Sequence, residues 1–226
     1  MSYYDWVFHS RVTDGIPPSN IQTIAENVTP LVGLASLRIF DSGLPAVATV
    51  AAHPNPYTFD TLIELGRIRI VFKKDMGLGF EDQGIFFLSS GTNPLLDEVE
   101  VYAVHYSSGS TTVRVTKYTN GLHDNTMGTL LQTYVVPFSG ANEPVVLQVI
   151  WEGGLFTNIN GQTKITVSFG SNTTSFASLV TLSPTVFDIT NPLFTGTCGF
   201  FVRSRGPTEP LDSVIDTTEI YRSNLS

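Results

Sequence analysis

Alternation of apolar and polar positions dominates the chain. Leu65–Lys73, LGRIRIVFK, is the clearest case: Arg67 and Arg69 fall on one face and Ile68, Ile70 and Phe72 on the other, the two-residue period of a half-buried strand. From Val99 four more such segments follow in close order, VEVYAVHY, TTVRVTKY, LLQTYVVPF and PVVLQVIW. Asn160-Gly161, the strongest hairpin signal in the chain, then leads into TKITVSF. The run from Val99 to Thr166 predicts a β-meander forming one wall of a sandwich. Gly84–Ser89, GIFFLS, is continuously apolar, as a strand buried on both faces is. Leu34–Phe40, Ala46–Ala51, Ala177–Leu182, Gly196–Ser204 and Ser213–Arg222 supply further short strands.

Breakers separate them. Asp41-Ser42-Gly43 and Ser107-Ser108-Gly109-Ser110 read as turns, His53-Pro54-Asn55-Pro56 forbids regular structure, and Thr119–Gly128 and Gly140–Pro144 are polar loops. Pro184–Pro192 has room for one helical turn. Residues 3–9 have strand propensity. Residues 10–33 carry Gly15, Pro17, Pro18, Pro30 and Gly33, which predicts an extended arm with one short strand near Ile21–Ala25. With Ile16, Ile24, Val28, Leu31 and Val32 the arm is too apolar for a free tail; it either wraps its own sandwich or covers a neighbour. No helical period exceeds two turns, and neither a repeat nor a linker divides the chain. The expectation is a single all-β domain over 1–226, a two-sheet antiparallel sandwich of about a dozen strands with little helix.

The order of parts in the second half resembles the concanavalin-A-like or laminin-G-like jelly roll, over roughly Tyr57–Arg222. A strand ending in Trp151 precedes the Asn160-Gly161 hairpin, a Gly-rich strand runs from Gly196 to Phe200, and Asp216 sits in the final strand. The resemblance implies that the final strand pairs beside the N-terminal one. It also implies a lectin or glucanase type of sandwich, found in glycan-binding modules, glycoside hydrolases, adhesion proteins and virion structural proteins. Fold of this kind does not choose among those functions.

Charge narrows the choice. Twelve Lys and Arg stand against 20 Asp and Glu, a net charge of −8, which argues against a nucleic-acid partner because a phosphate backbone needs a basic face. No apolar run reaches the ~18 residues of a membrane span, and MSYYDWVFHSR lacks the basic start and apolar core of a secretory signal. The single cysteine, Cys198, excludes an internal disulfide and a cysteine-rich zinc site; its Gly- and Phe-rich surroundings predict a buried thiol. Three N-x-S/T triplets, at Asn27, Asn172 and Asn224, read as chance in so Thr-rich a chain.

Candidate chemistry is sparse. Glu98 and Glu100 share a face if Asp97–Glu100 is strand, yet Tyr102 holds the position where laminarinase-like hydrolases carry a further acid, so solvated strand-edge acids are the simpler reading. Jelly rolls of this kind often hold Ca2+ on loop oxygens; Asp124, Asn125 and Asp188 are the candidates, with Glu81 and Asp82 behind them. His9, His53, His105 and His123 lack the spacing of a zinc site, which predicts structural roles. Among the aromatics, Tyr102, Tyr106 and Tyr118 on the meander strands are candidate sugar platforms; cross-strand core packing is the competing reading. No other cofactor is implied.

These features favour a non-enzymatic structural or interaction protein, a virion component such as a phage capsid-decorating, tail or fibre-associated subunit. It would fold in the host cytoplasm and assemble with itself as a homo-oligomer and with other virion proteins. The alternative is a carbohydrate-binding module or lectin, with glycans as partners; a glycoside hydrolase comes third.

Overall fold

A computed structural model describes residues 6–15, 21–26, 36–41, 46–54, 58–61, 64–74, 81–107, 111–123, 128–136, 144–153, 161–170, 179–204 and 211–224. Among these residues there are sixteen strands and no helix, so none could cross a membrane as a helix. Two eight-stranded antiparallel sheets form. The first runs β1 (Trp6–Gly15), β4 (Ala46–Pro54), β15 (Thr195–Ser204), β7 (Glu81–Ser89), β8 (Val101–Ser107), β9 (Thr112–Tyr118), β10 (Gly128–Val135), with β5 (Thr58–Asp60) beside β15. The second runs β13 (Val180–Thr181), β12 (Thr163–Gly170), β11 (Val145–Gly153), β6 (Glu64–Lys74), β16 (Asp212–Asn224), β3 (Ser36–Asp41), β2 (Ile21–Glu26), with β14 (Val186–Asp188) beside β12.

The alternating segments are strands as expected; Gly161 has a positive φ of 77°, but β11 and β12 close with Gly153 opposite Thr163, so their connection is longer than the two-residue hairpin expected at Asn160-Gly161. The connectivity differs. The predicted meander is split: β8, β9 and β10 end the first sheet at its edge, and β11 and β12 lie in the second. Alternation gives each strand one inward face, but both sheets have inward faces, so the pattern cannot assign a strand to either. The final strand, β16, sits between β6 and β3 and not beside β1, which edges the other sheet. Residues 10–15, expected as loop, continue β1 beside β4, with a bulge between Val12 and Asp14, as far as Gly15 opposite Ala46; the prolines begin only at Pro17. Pro184–Pro192 contains the short strand β14 in place of a helical turn, because Val186–Asp188 pairs with Thr163–Ile165.

Between the sheets lies the main core. Trp151, fully buried, contributes its largest side chain and packs against Phe59 (ring centroids 4.9 Å apart) and Phe87 (5.0 Å) of the first sheet. Its room comes from Gly66 on the neighbouring strand: a Cβ there would lie 2.1 Å from the indole Cε2. The outer face of the first sheet carries a second, smaller core. Ala51, Phe86, Val101, Ala103 and Phe201 are roofed by Leu95 and Leu122. Two loops form this roof, joined by the Leu122 N–H donating to the Pro94 carbonyl (2.9 Å) and the Gly121 N–H to that of Val99 (2.9 Å). Beneath it Arg203, 1% exposed, donates to Asp82 (2.7 Å) and to the Leu122 carbonyl (2.7 Å). A buried charge of this sort is tolerated only when paired and hydrogen-bonded.

At one end a carboxylate latches the sheets together. Glu81 of β7 accepts from Gln83 (2.8 Å), from the Ser213 hydroxyl and from the Asp212 N–H of β16 (3.0 Å). Gly66→Ala is expected to drive a methyl group into the indole and cost about 1–3 kcal/mol; urea unfolding measures it, and an unchanged midpoint would disprove the close approach.

Candidate functional site

The opposite end of the sandwich is open. A groove of about 570 Å³ is lined by residues of both sheets, among them Thr58, Asp60, Glu64, Ser89, Thr92, Thr195, Thr197 and Arg222. Strand parity builds it. In β5 the side chain of Phe59 points inward to Trp151, so Thr58 and Asp60 on either side point out. β5 pairs with the start of β15, setting Asp60 beside Thr195. In the second sheet Arg222 is opposite Gly66 and Asn224 opposite Glu64, which makes Arg222 and Glu64 diagonal neighbours.

A bulge turns β7 toward the groove. Between Phe86 and Ser89 it carries one residue more than β15 does between Gly199 and Thr197, both Phe87 and Leu88 enter the core, and Leu88 takes a φ of 51°. Such bulges re-aim the following side chain, here Ser89. Register sets Ser89 opposite Thr197; the preceding Gly196 has a φ of 148°, and a Cβ there would stand 2.2 Å from the Ser89 carbonyl oxygen, so this position admits no side chain.

Among the described residues the groove holds two carboxylates and one guanidinium. Glu64 accepts the Asp60 N–H (3.2 Å) and lies 3.5 Å from Arg222, which also donates to the Thr58 carbonyl (3.3 Å). Ser89 donates to the Gly91 carbonyl (2.8 Å) and Ser90 accepts the Glu100 N–H (2.9 Å). The hydroxyl of Thr197, a buried residue, has no hydrogen-bond partner. Among the described lining residues the aromatic one, Phe59, is 1% exposed.

The residues singled out from sequence lie elsewhere. Tyr102, Tyr106 and Tyr118 are all buried and offer no ring to a sugar. Tyr102 and Tyr106 point into the main core, and Tyr118 lies under the roof. Tyr102 donates to Asp188 (2.5 Å) and Tyr106 to Gln83. Burial, and then the Asp188 carboxylate, raise the Tyr102 hydroxyl well above the ordinary range. Asp188 is no exposed loop oxygen: it is buried, ion-paired with Lys117 at 3.2 Å, and caps the Thr190 N–H (2.9 Å). Asp124 and Asn125 lie outside the described residues. Among those described, no three His, Cys, Asp or Glu side chains gather as a metal-holding group.

Glu98 and Glu100 lie in the loop before β8, so strand alternation does not bring them onto one face. Cys198 is fully buried, and burial pushes its thiol far up. The groove acids went unread because Asp60 falls in a three-residue strand and Glu64 at the very start of β6; Arg222 joins them only through strand register.

No protein-family model and no curated protein sequence matches the chain. Solved structures do match it in fold. A carbohydrate-binding module, CBM66 from Bacillus subtilis, superposes with a TM-score of 0.54 at 11% identity, covering 96% of this chain and 94% of its own. The exoplasmic/lumenal domain of VIP36, in its Ca2+/Man3GlcNAc-bound form, gives 0.54 at 11% identity, covering 96% and 86%. A conserved carbohydrate esterase from the Shiga toxin-encoding bacteriophage phi24B gives 0.53 at 14% identity, covering 97% and 90%. The fold is therefore a concanavalin-A-like jelly roll.

Removing one partner of the Lys117–Asp188 pair leaves a buried charge uncompensated. Asp188→Ala is expected to cost about 3–5 kcal/mol in chemical denaturation; a loss below one kcal/mol would return Asp188 to the pool of candidate ligands.

Proposed function

We propose that the protein is a non-enzymatic carbohydrate-binding module whose ligand enters the groove at the Asp60 end of the sandwich. The observation that carries this reading is the convergence of Asp60, Glu64 and Arg222 with the Ser89, Thr92 and Thr195 side chains in one open depression. Sugar hydroxyls both donate and accept. Carboxylates accept from adjacent hydroxyls, a guanidinium donates to ring and hydroxyl oxygens, and Ser and Thr do either. The volume, about 570 Å³, falls within the ~300–1,000 Å³ usual for small-ligand sites. The lectin-like fold of the neighbours supports the same class of ligand.

A second reading rests on a separate observation. Leu130 and Val135 of β10, Val180 of β13, and Phe187 and Ile189 at β14 are exposed. They gather on one flank, where Tyr134 of β10 donates to the Pro184 carbonyl (2.6 Å). Such an apolar flank favours assembly, including that of a virion subunit, and is compatible with a glycan groove at the sandwich end.

A glycan array should return bound sugars for the purified chain. Asp60→Asn and Glu64→Gln should each weaken binding by about ten- to a hundredfold, the worth of a charged hydrogen bond, with unchanged circular dichroism. Wild-type affinity in both variants would remove the groove from the reading; release of reducing ends from the bound sugar would make it an active site.

A further inference from the structure

The groove is rich in acceptors and short of positive charge. Its described lining brings two carboxylates, Asp60 and Glu64, one guanidinium, Arg222, and no histidine, which leaves negative charge in excess. Arg222 already lies 3.5 Å from Glu64 and donates to the Thr58 carbonyl (3.3 Å). No other Lys or Arg of the chain can make up the difference. There are twelve. All but Arg205 fall among the described residues, and of those Arg222 alone lines the groove. Arg205 directly follows Ser204, which is opposite Glu81 at the far end of β15. That strand begins at the groove and is ten residues long, about 33 Å at the usual strand rise.

The hydroxyls agree with the charges. Ser89 gives its proton to the Gly91 carbonyl (2.8 Å). That oxygen can only accept, so Ser89 has lone pairs and no hydrogen left to offer a ligand. Thr197 is an independent sign that something binds. Register sets it opposite both Ser89 and Thr58. It lines the groove and is 4% exposed, yet its hydroxyl has no partner, whereas buried polar atoms of native proteins are nearly always paired. A rotation about its Cα–Cβ bond from one staggered position to the next exchanges methyl for hydroxyl at the groove wall.

We infer that the saccharide taken by this groove is an amino sugar, which turns a protonated amine toward Asp60 and Glu64. The inference rests on the groove being a saccharide site and adds the charge of its ligand. An ammonium group only donates, through three hydrogens. The carboxylates, Ser89 and the rotated Thr197 are the acceptors for them. The amine also offsets the excess negative charge, and a charge-assisted hydrogen bond is roughly twice as strong as a neutral one. A sugar hydroxyl in the same place donates one hydrogen and covers the carboxylates without compensating them. N-acetylation removes the charge and two of the three hydrogens. A uronate or sulfate sets like charges and acceptors against one another.

Calorimetry at low salt with matched methyl glycosides is the test. Gluco, galacto and manno sets each include a hydroxyl, an ammonium and an acetamide at carbon 2, together with the uronate. In the set that binds, the amine should bind about ten times tighter than the hydroxyl. The acetamide and the uronate should fall below the hydroxyl, and added salt should shrink the amine's advantage. Asp60→Asn, with melting curves to confirm its fold, should bring amine and hydroxyl to within about twofold of each other. Thr197→Val keeps the side-chain shape and removes the unpartnered hydroxyl. It should weaken amine binding about fivefold while the melting temperature stays or rises; a hydroxyl of purely structural use would lower the melting temperature and leave affinity alone. Hydroxyl or acetamide sugars bound as tightly as the amines overturn the inference and leave the saccharide reading standing. Putrescine bound as tightly as the amino sugars also overturns it, and a failure of every glycoside to bind at millimolar concentration overturns both.

Discussion

The position of Trp151 governs more of this molecule than any other contact. Its indole lies over the bare backbone of Gly66 and against Phe59 and Phe87, and so fixes how closely the two sheets approach. Phe59 is the hinge between core and site. The face it turns toward the indole obliges Thr58 and Asp60 to face the groove, and its pairing with Gly196 delivers β15 to the same place. A packing requirement deep in the sandwich thus sets the spacing of the acids at its surface.

Polar groups do a different job. Glu81 joins β7 to β16, Arg203 joins the first sheet to its roof, and Lys117 reaches from β9 to the carbonyls of Thr190 and Asn191 beyond β14. Each is a buried charge bridging elements remote in sequence. Such groups add little net stability against an apolar replacement, and lose heavily when one partner is removed. Each bridge therefore penalises any packing in which its partner is displaced.

Much of the fold was legible. The two-residue period located the strands, and the apolar GIFFLS run was read correctly. Sheet membership was not, because β10 and β11 carry the same kind of inward stripe whichever sheet they join. The tyrosines show a related ambiguity. Tyr102, Val104 and Tyr106 share a face, and parity alone does not say whether that face meets a partner sheet or solvent. Tyr118, on the other face, is hidden by Leu122, a contact made by loop closure. The groove depends on register between distant strands, Arg222 with Gly66 and Asp60 with Thr195, and register is a property of the assembled sheets.

The roof of Leu95 and Leu122 bears on what kind of ligand could be held. It interrupts the outer face of the first sheet across β4, β15, β7 and β8, where an uncovered sheet would offer a trough for a polymer to lie along. Under the proposed reading a saccharide would instead meet the sandwich tip first, and binding of that geometry would count chain termini: a branched polymer with many ends would capture more copies of the protein than a linear one of equal mass.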